Sequence, residues 1–202
     1  MKSETEKIPA APLSRARFLA SLYLTELILV LLALVVTRLA SRAWFPHGFQ
    51  FTAEHLLLGL LAAMPVVVMI LLATFGPISK ISAIELSMEK ITSRLQRMLG
   101  STVASLTAVD IVLLSAAAGI GEELFFRGML QSYIGVIAAA VVFGLLHALT
   151  PAYFVLATVI GIYFGLIYES TNNLLIPMVG HAAYDIFALY LLRWQFEQQR
   201  QM

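Results

Sequence analysis

Long apolar segments separated by short polar ones run the length of this chain. Residues 18–40, 56–75, 103–121, 134–149, 153–168 and 174–192 are each dominated by Leu, Ile, Val, Ala, Phe and Gly. A helix that crosses hydrocarbon needs about 20 such residues, so the pattern predicts about six transmembrane helices. The fourth and fifth segments are short for a span, with Pro151 between them. Pro65 inside the second predicts a kink rather than an end. Residues 80–99 follow another rule: Ile81, Ile84, Met88, Ile91, Leu95 and Met98 recur at three- and four-residue steps, one helical face. Lys80, Glu85, Glu89, Lys90, Arg94 and Arg97 fill the remainder. This predicts an amphipathic helix, lying on the membrane surface, packed under the bundle, or serving only as a solvated connector. The expected fold is therefore all-α, a polytopic membrane bundle of about six transmembrane helices plus one amphipathic helix.

Composition agrees. Of 202 residues, 60% are hydrophobic and 12% charged, with a mean hydropathy of +0.87. Soluble domains carry about 25% charged residues; this chain reads as an integral, multi-pass membrane protein. A net charge of +1 gives no case for nucleic acid. Without cysteine there is no disulfide framework, thiol nucleophile or Cys-based zinc site. Lys2, Lys7, Arg15 and Arg17 ahead of the first apolar run resemble a signal peptide. The run outlasts the roughly 7–15 residues of a signal h-region, so it is read as an uncleaved first span. Basic residues in the N-terminal tail, in 80–99 and at Arg193 and Arg200 share one side of a six-span topology. That side should be cytoplasmic, although Arg38 and Arg42 in the first loop dilute the signal. Trp44 and Trp194 read as interfacial anchors, and His47 and His55 as solvated loop residues.

Against this background Glu122-Glu123-Leu124-Phe125-Phe126-Arg127 stands out, because Arg127 is the only Lys or Arg between Val103 and Leu192. His147, His181 and Asp185 follow in apolar surroundings. Each ionisable group inside a bilayer costs roughly 2.5–3.5 kcal/mol even on a lenient scale, so several together point to a functional polar site. Helical residues four apart share a face, which pairs Glu123 with Arg127 and leaves Glu122 without a local cation. A carboxylate in that position suits a general base. Phe143 and His147 share a face by the same spacing, as do His181 and Asp185, so Asp185 is placed to hold the imidazole through a ring N–H. Three helices would then offer Glu122 and His147 to a water, and His181 with Asp185 to a developing oxyanion. Glu26 and Asp110 are single acidic residues within spans, readable as helix-packing groups. Other intramembrane chemistries lack their residues. There is no Gly-x-Ser for a rhomboid-like serine protease and no His-Glu-x-x-His for a site-two metalloprotease. Neither of the two aspartates lies in Gly-x-Gly-Asp.

The ordered set Glu122-Glu123-x-x-x-Arg127, Phe143-x-x-x-His147 and His181-x-x-x-Asp185 resembles the three motifs of the CAAX-processing and bacteriocin-processing (CPBP, or Abi) intramembrane proteases. That family includes the type II CAAX prenyl endopeptidases. The resemblance divides the chain into a cytoplasmic tail (1–17), N-terminal membrane helices with the amphipathic connector (18–102), a CPBP-like catalytic core (103–192) and a C-terminal tail (193–202). It implies an endopeptidase in a membrane, expected to be a bacterial cell membrane, acting on membrane-associated protein or peptide substrates. Glu122 would be the base, His147 would help activate water, and His181 with residue 185 would stabilise the oxyanion. Glu123, Arg127 and Phe143 would support them. The family's third motif commonly ends in Asn; with Asp185 here, that residue must be protonated, orient His181 or bind a metal. A metal-free glutamate mechanism is favoured, with zinc held by Glu122, His147, His181 and Asp185 as the other option. The alternative from another class is a non-catalytic immunity factor or chaperone on the same scaffold.

Overall fold

The computed structural model describes residues 14–40, 48–76 and 80–201, so Lys2, Lys7, Arg42, Trp44 and His47 lie outside the described residues. Seven α-helices account for most of what is described, with no strand among those residues. They are α1 (Arg15–Leu39), α2 (Ala53–Phe75), α3 (Ser82–Ala104), α4 (Ala108–Glu123), α5 (Gln131–Leu146), α6 (Pro151–Thr171) and α7 (Leu175–Gln201). A π-helical stretch, Leu124–Leu130, joins α4 to α5 without a loop. Among the described residues, five helical stretches are long and apolar enough to cross a membrane. One of them, the 39-residue Ala108–Leu146, holds most of the third and fourth expected spans. Gly135 divides it: φ of +78° there is left-handed territory that glycine enters freely. The chain is an integral membrane protein of helical-bundle architecture.

The boundaries follow local chemistry. The third expected span does not begin at Val103, which is fully buried at the end of α3. It begins after Thr107, because Thr107 and Asp110 form a reciprocal capping box that starts α4 afresh. Asp110 also accepts two hydrogen bonds from Arg15, at 2.8 and 2.7 Å, tying the start of α1 to the start of α4. Its part is thus a cap and an anchor. Thr150 caps α6 with Pro151 in the first turn, where its missing N–H costs nothing. Helix α2 runs continuously through Pro65. His55 sits in the first turn of α2, paired with the Thr52 cap at 2.7 Å, rather than in a loop. Helix α7 continues through residues expected as a tail, to Gln201.

Helix α7 is the hub, packing on α2, α3, α4 and α6, while α5 packs along α6 and α1 against α4 and the π-helical stretch. Lipid-facing helices gain little from burying apolar side chains against one another, so close approach at small residues does much of the packing. A side chain at Gly119 would strike the Met178 carbonyl of α7, and one at Gly161 would strike Ala140 of α5. The amphipathic α3 is packed under the bundle: Ile91 is buried, and Gly100 is pressed against Phe196 of α7. Arg193 donates to the Leu106 carbonyl at 3.1 Å, and Trp194 meets the Phe75 ring edge-on at 5.8 Å. The start of α1, the end of α2, the start of α4 and the second half of α7 therefore share one end of the bundle.

Candidate active site

The end of α4, the end of α5 and the second turn of α7 converge inside the bundle. Glu123 and Arg127 pair at 2.7 Å as their spacing predicts, both withdrawn from solvent. Arg127 also donates to the Gly161 carbonyl at 3.1 Å and lies 5.0 Å above the Phe143 ring. Its charge is thereby met by a carboxylate, a carbonyl and an aromatic face. Phe143 links this pair to the histidines, stacking on His147 at 4.3 Å and meeting His181 edge-on at 6.2 Å.

Glu122 lies between the two histidines. Its Oε1 is 3.7 Å from His147 Nε2 and its Oε2 is 3.9 Å from His181 Nε2. Neither distance is a hydrogen bond, so Glu122 is held close to both rings without being consumed by either. His147 Nδ1 lies 2.8 Å from the Phe143 carbonyl oxygen. A carbonyl only accepts, so Nδ1 carries a proton, and in the neutral ring Nε2 presents its lone pair toward Glu122.

His181 is oriented differently from the sequence reading. Its Nδ1 meets Glu123 Oε1 at 2.7 Å, whereas Asp185 stays 3.6 Å from Nε2, beyond hydrogen-bond range. Glu123 therefore bonds Arg127 and His181 at once and fixes the ring. The imidazole is further stacked on Tyr184 at 4.9 Å and lies parallel to Phe164 at 6.2 Å. The spacing rule found Glu123–Arg127 and His181–Asp185 because both are four-residue pairs. It missed Glu123–His181, which are 58 positions apart.

The side chains of Glu123, Arg127 and His181 are closed off, while those of His147 and Asp185 are each 28% exposed, with Glu122 between at 14%. The approach to Glu122 thus passes His147 and Asp185. A separate apolar cavity of about 360 Å³ lies between α2, α4 and α7, lined in part by Leu56, Ile120, Leu124, Met178 and Ala182. Among the described residues no three His, Asp or Glu side chains gather as a metal-binding group. Both Nδ1 atoms are spent on Phe143 and Glu123, and Glu123 is shared with Arg127. With each Nδ1 engaged by an oxygen, both Nε2 atoms stay turned toward Glu122, an orientation that a metal-binding imidazole also takes.

Residues 104–187 match the family described as type II CAAX prenyl endopeptidase Rce1-like. That interval runs from the last residue of α3 into α7 and holds Glu122, Glu123, Arg127, His147, His181 and Asp185. The likeness to the type II CAAX prenyl endopeptidases read from the motifs is thereby shown across this region. The chain is also similar to a Bacillus subtilis (strain 168) protein described as "Uncharacterized protein YpbD", 36% identical over 93 residues. The match covers 45% of this chain and 48% of that one, so the chain spans about half the length of this relative. No solved structure matches the chain.

Proposed function

We propose that this protein is an intramembrane endopeptidase in which Glu122 activates a water. The observation that carries the proposal is the position of Glu122, within 3.9 Å of both histidines yet bonded to neither. Glu122 Oε1 and His147 Nε2 are adjacent acceptors, and a water donating one O–H to each would have its oxygen lone pairs turned outward. Proton transfer to Glu122 as the water attacks a peptide carbonyl is general-base catalysis. His181, proton-bearing at both nitrogens between Glu123 and Asp185, would present Nε2–H to the oxyanion, and Asp185 would balance that cation. Glu122 would then return its proton to the leaving amine. The Glu123–Arg127 pair keeps His181 in place, and Phe143 braces both rings. No step is routed through a metal.

The family match supports peptide substrates at the membrane, and the apolar cavity would seat the apolar part of a membrane-associated protein or peptide. The termini would be cytoplasmic, since Arg15, the α3 basic residues and Arg193 lie at the same end of the bundle. The test is cleavage of a membrane-associated reporter peptide by purified protein in vesicles. Glu122→Gln and His147→Ala should each lower kcat by about 10²–10⁴-fold with helix content unchanged. Wild-type turnover in purified Glu122→Gln would refute the assignment.

A further inference from the structure

Apart from its last residue, α3 precedes the region matched to the family. Its 23 residues make a helix about 34 Å long. Glu85, Glu89 and Gln96 share a polar cleft with Thr74, in the last turn of α2, and with Gln195 and Gln199 of α7. Further along α3, Gly100 meets Phe196 of α7, and Leu99 packs on the cluster that holds Phe18 at the start of α1. Helix α3 therefore lies across one end of the bundle and bridges three other helices there.

The face turned away from these contacts is cationic. At 100° per residue, Leu86, Lys90, Arg94 and Arg97 fall within an arc of about 80°, with Met98 at its edge. All five are exposed, whereas Ile91 is buried. The two acids of α3, Glu85 and Glu89, line the cleft instead. No acid stands three or four positions from Lys90, Arg94 or Arg97, and among the described residues none of the three forms a salt bridge. Lys90–Arg94 and Arg94–Arg97 are like charges at four- and three-residue spacing, which repel. Negative charge from outside the bundle would relieve that repulsion. Two neighbouring features say where it comes from. Leu86 and Met98, each 51% exposed, flank the cations with apolar surface. Trp194 and Phe75, both exposed and in ring contact, sit at the same end of the bundle, as aromatic residues do at the headgroup level of a membrane. Cations on long stems beside apolar side chains at that level face lipid headgroups.

We propose that the outer face of α3 is a binding surface for anionic phospholipid headgroups, with Lys90, Arg94 and Arg97 holding their phosphates. The two guanidinium groups match a phosphate bidentately and the ammonium meets it as a point charge. A phosphatidylglycerol headgroup, which carries a net negative charge, is therefore preferred to zwitterionic phosphatidylcholine. This surface is separate from Glu122 and its histidines, and it stands whether or not the chain is a hydrolase.

The chain has no cysteine, so one introduced thiol takes a fluorophore at a single place. Ser101 is exposed and lies on the same stripe of α3, which makes Ser101→Cys the reporter. The labelled full-length protein is reconstituted in vesicles that mix phosphatidylglycerol and phosphatidylcholine, with one lipid or the other brominated as the quencher. Quenching should show a preference for phosphatidylglycerol of about tenfold or more, since each basic residue near an anionic surface contributes about fivefold. The triple variant Lys90→Gln/Arg94→Gln/Arg97→Gln, whose changes are confined to exposed positions and should leave thermal stability nearly unchanged, should bring the preference within about twofold of none. A label at Leu57→Cys, an exposed site near the other end of α2, should report little preference, and the triple change should not alter it. Wild-type protein gives an independent reading, because about 0.5 M NaCl should remove most of the preference by screening. No preference at Ser101→Cys, a preference that survives the triple change, or one indifferent to salt would each overturn the proposal.

Discussion

Removing the Arg127 guanidinium should be the most damaging single change in the bundle away from the reacting atoms. The side chain is 3% exposed and its partner Glu123 is fully closed off. Truncation to Met strands a carboxylate whose other partner among the described residues is His181, and it also frees the Gly161 carbonyl and the Phe143 face. Breaking a buried pair from one side costs about 3–5 kcal/mol. At roughly 2–4 °C per kcal/mol for a chain of this size, Tm should fall by about 6–20 °C. Arg127→Lys keeps the charge but not the fork that reaches Glu123 and Gly161 together, so it should recover only part of the loss. The decisive comparison is a double-mutant cycle in detergent with Glu123→Gln, whose amide oxygen still accepts from His181 Nδ1. The double variant Glu123→Gln/Arg127→Met removes both charges and should be more stable than the two single losses sum to, by about 1–3 kcal/mol. Strict additivity would refute the view that Glu123 and Arg127 neutralise each other.

Asp185→Asn replaces a carboxylate with an amide that can donate to an oxyanion, and should keep turnover within about tenfold, while Asp185→Leu should lose about 10²–10³-fold. The check is kcat on the same reporter; loss of all activity in Asp185→Asn would make the carboxylate itself indispensable. Thr107→Ala removes the N-cap of α4 and should cost about 1 kcal/mol, read as Tm, with KM unchanged. Activity should persist through a chelator titration and in protein without stoichiometric metal; zinc that tracks activity one-to-one would overturn the water-only chemistry proposed above.

Much of this was legible in the chain because helices translate spacing into position. The apolar runs mark the membrane helices, and the periodic Ile and Met residues of 80–99 mark α3 as a helix with one packed face. Glu123–Arg127 is a four-residue pair and forms at 2.7 Å. What escaped depends on contacts between helices, which carry no local signal. Glu123 bonding His181 and Glu26 reaching Gly121 both join residues far apart in sequence. A glycine before an acidic pair was the one hint of the second contact, since it marks a place with room for a close approach. The start of α4 was misplaced because Val103 and Leu106 are as apolar as the span beyond them. The Thr107–Asp110 capping box, a short-range signal, marks the true boundary.

The π-helical stretch Leu124–Leu130 sets what kinds of sequence change this site would survive. Such stretches arise where a helix accommodates a widened turn. The widened turn already holds one residue more than an α-helical turn would, so deleting one residue there would let the segment close into ordinary α-helix while the helices on either side kept their facing. Glu122 and Glu123 precede the stretch and His147 follows it beyond Gly135. The seven residues are therefore the place in this span where a relative one residue shorter would disturb the three acids and bases least.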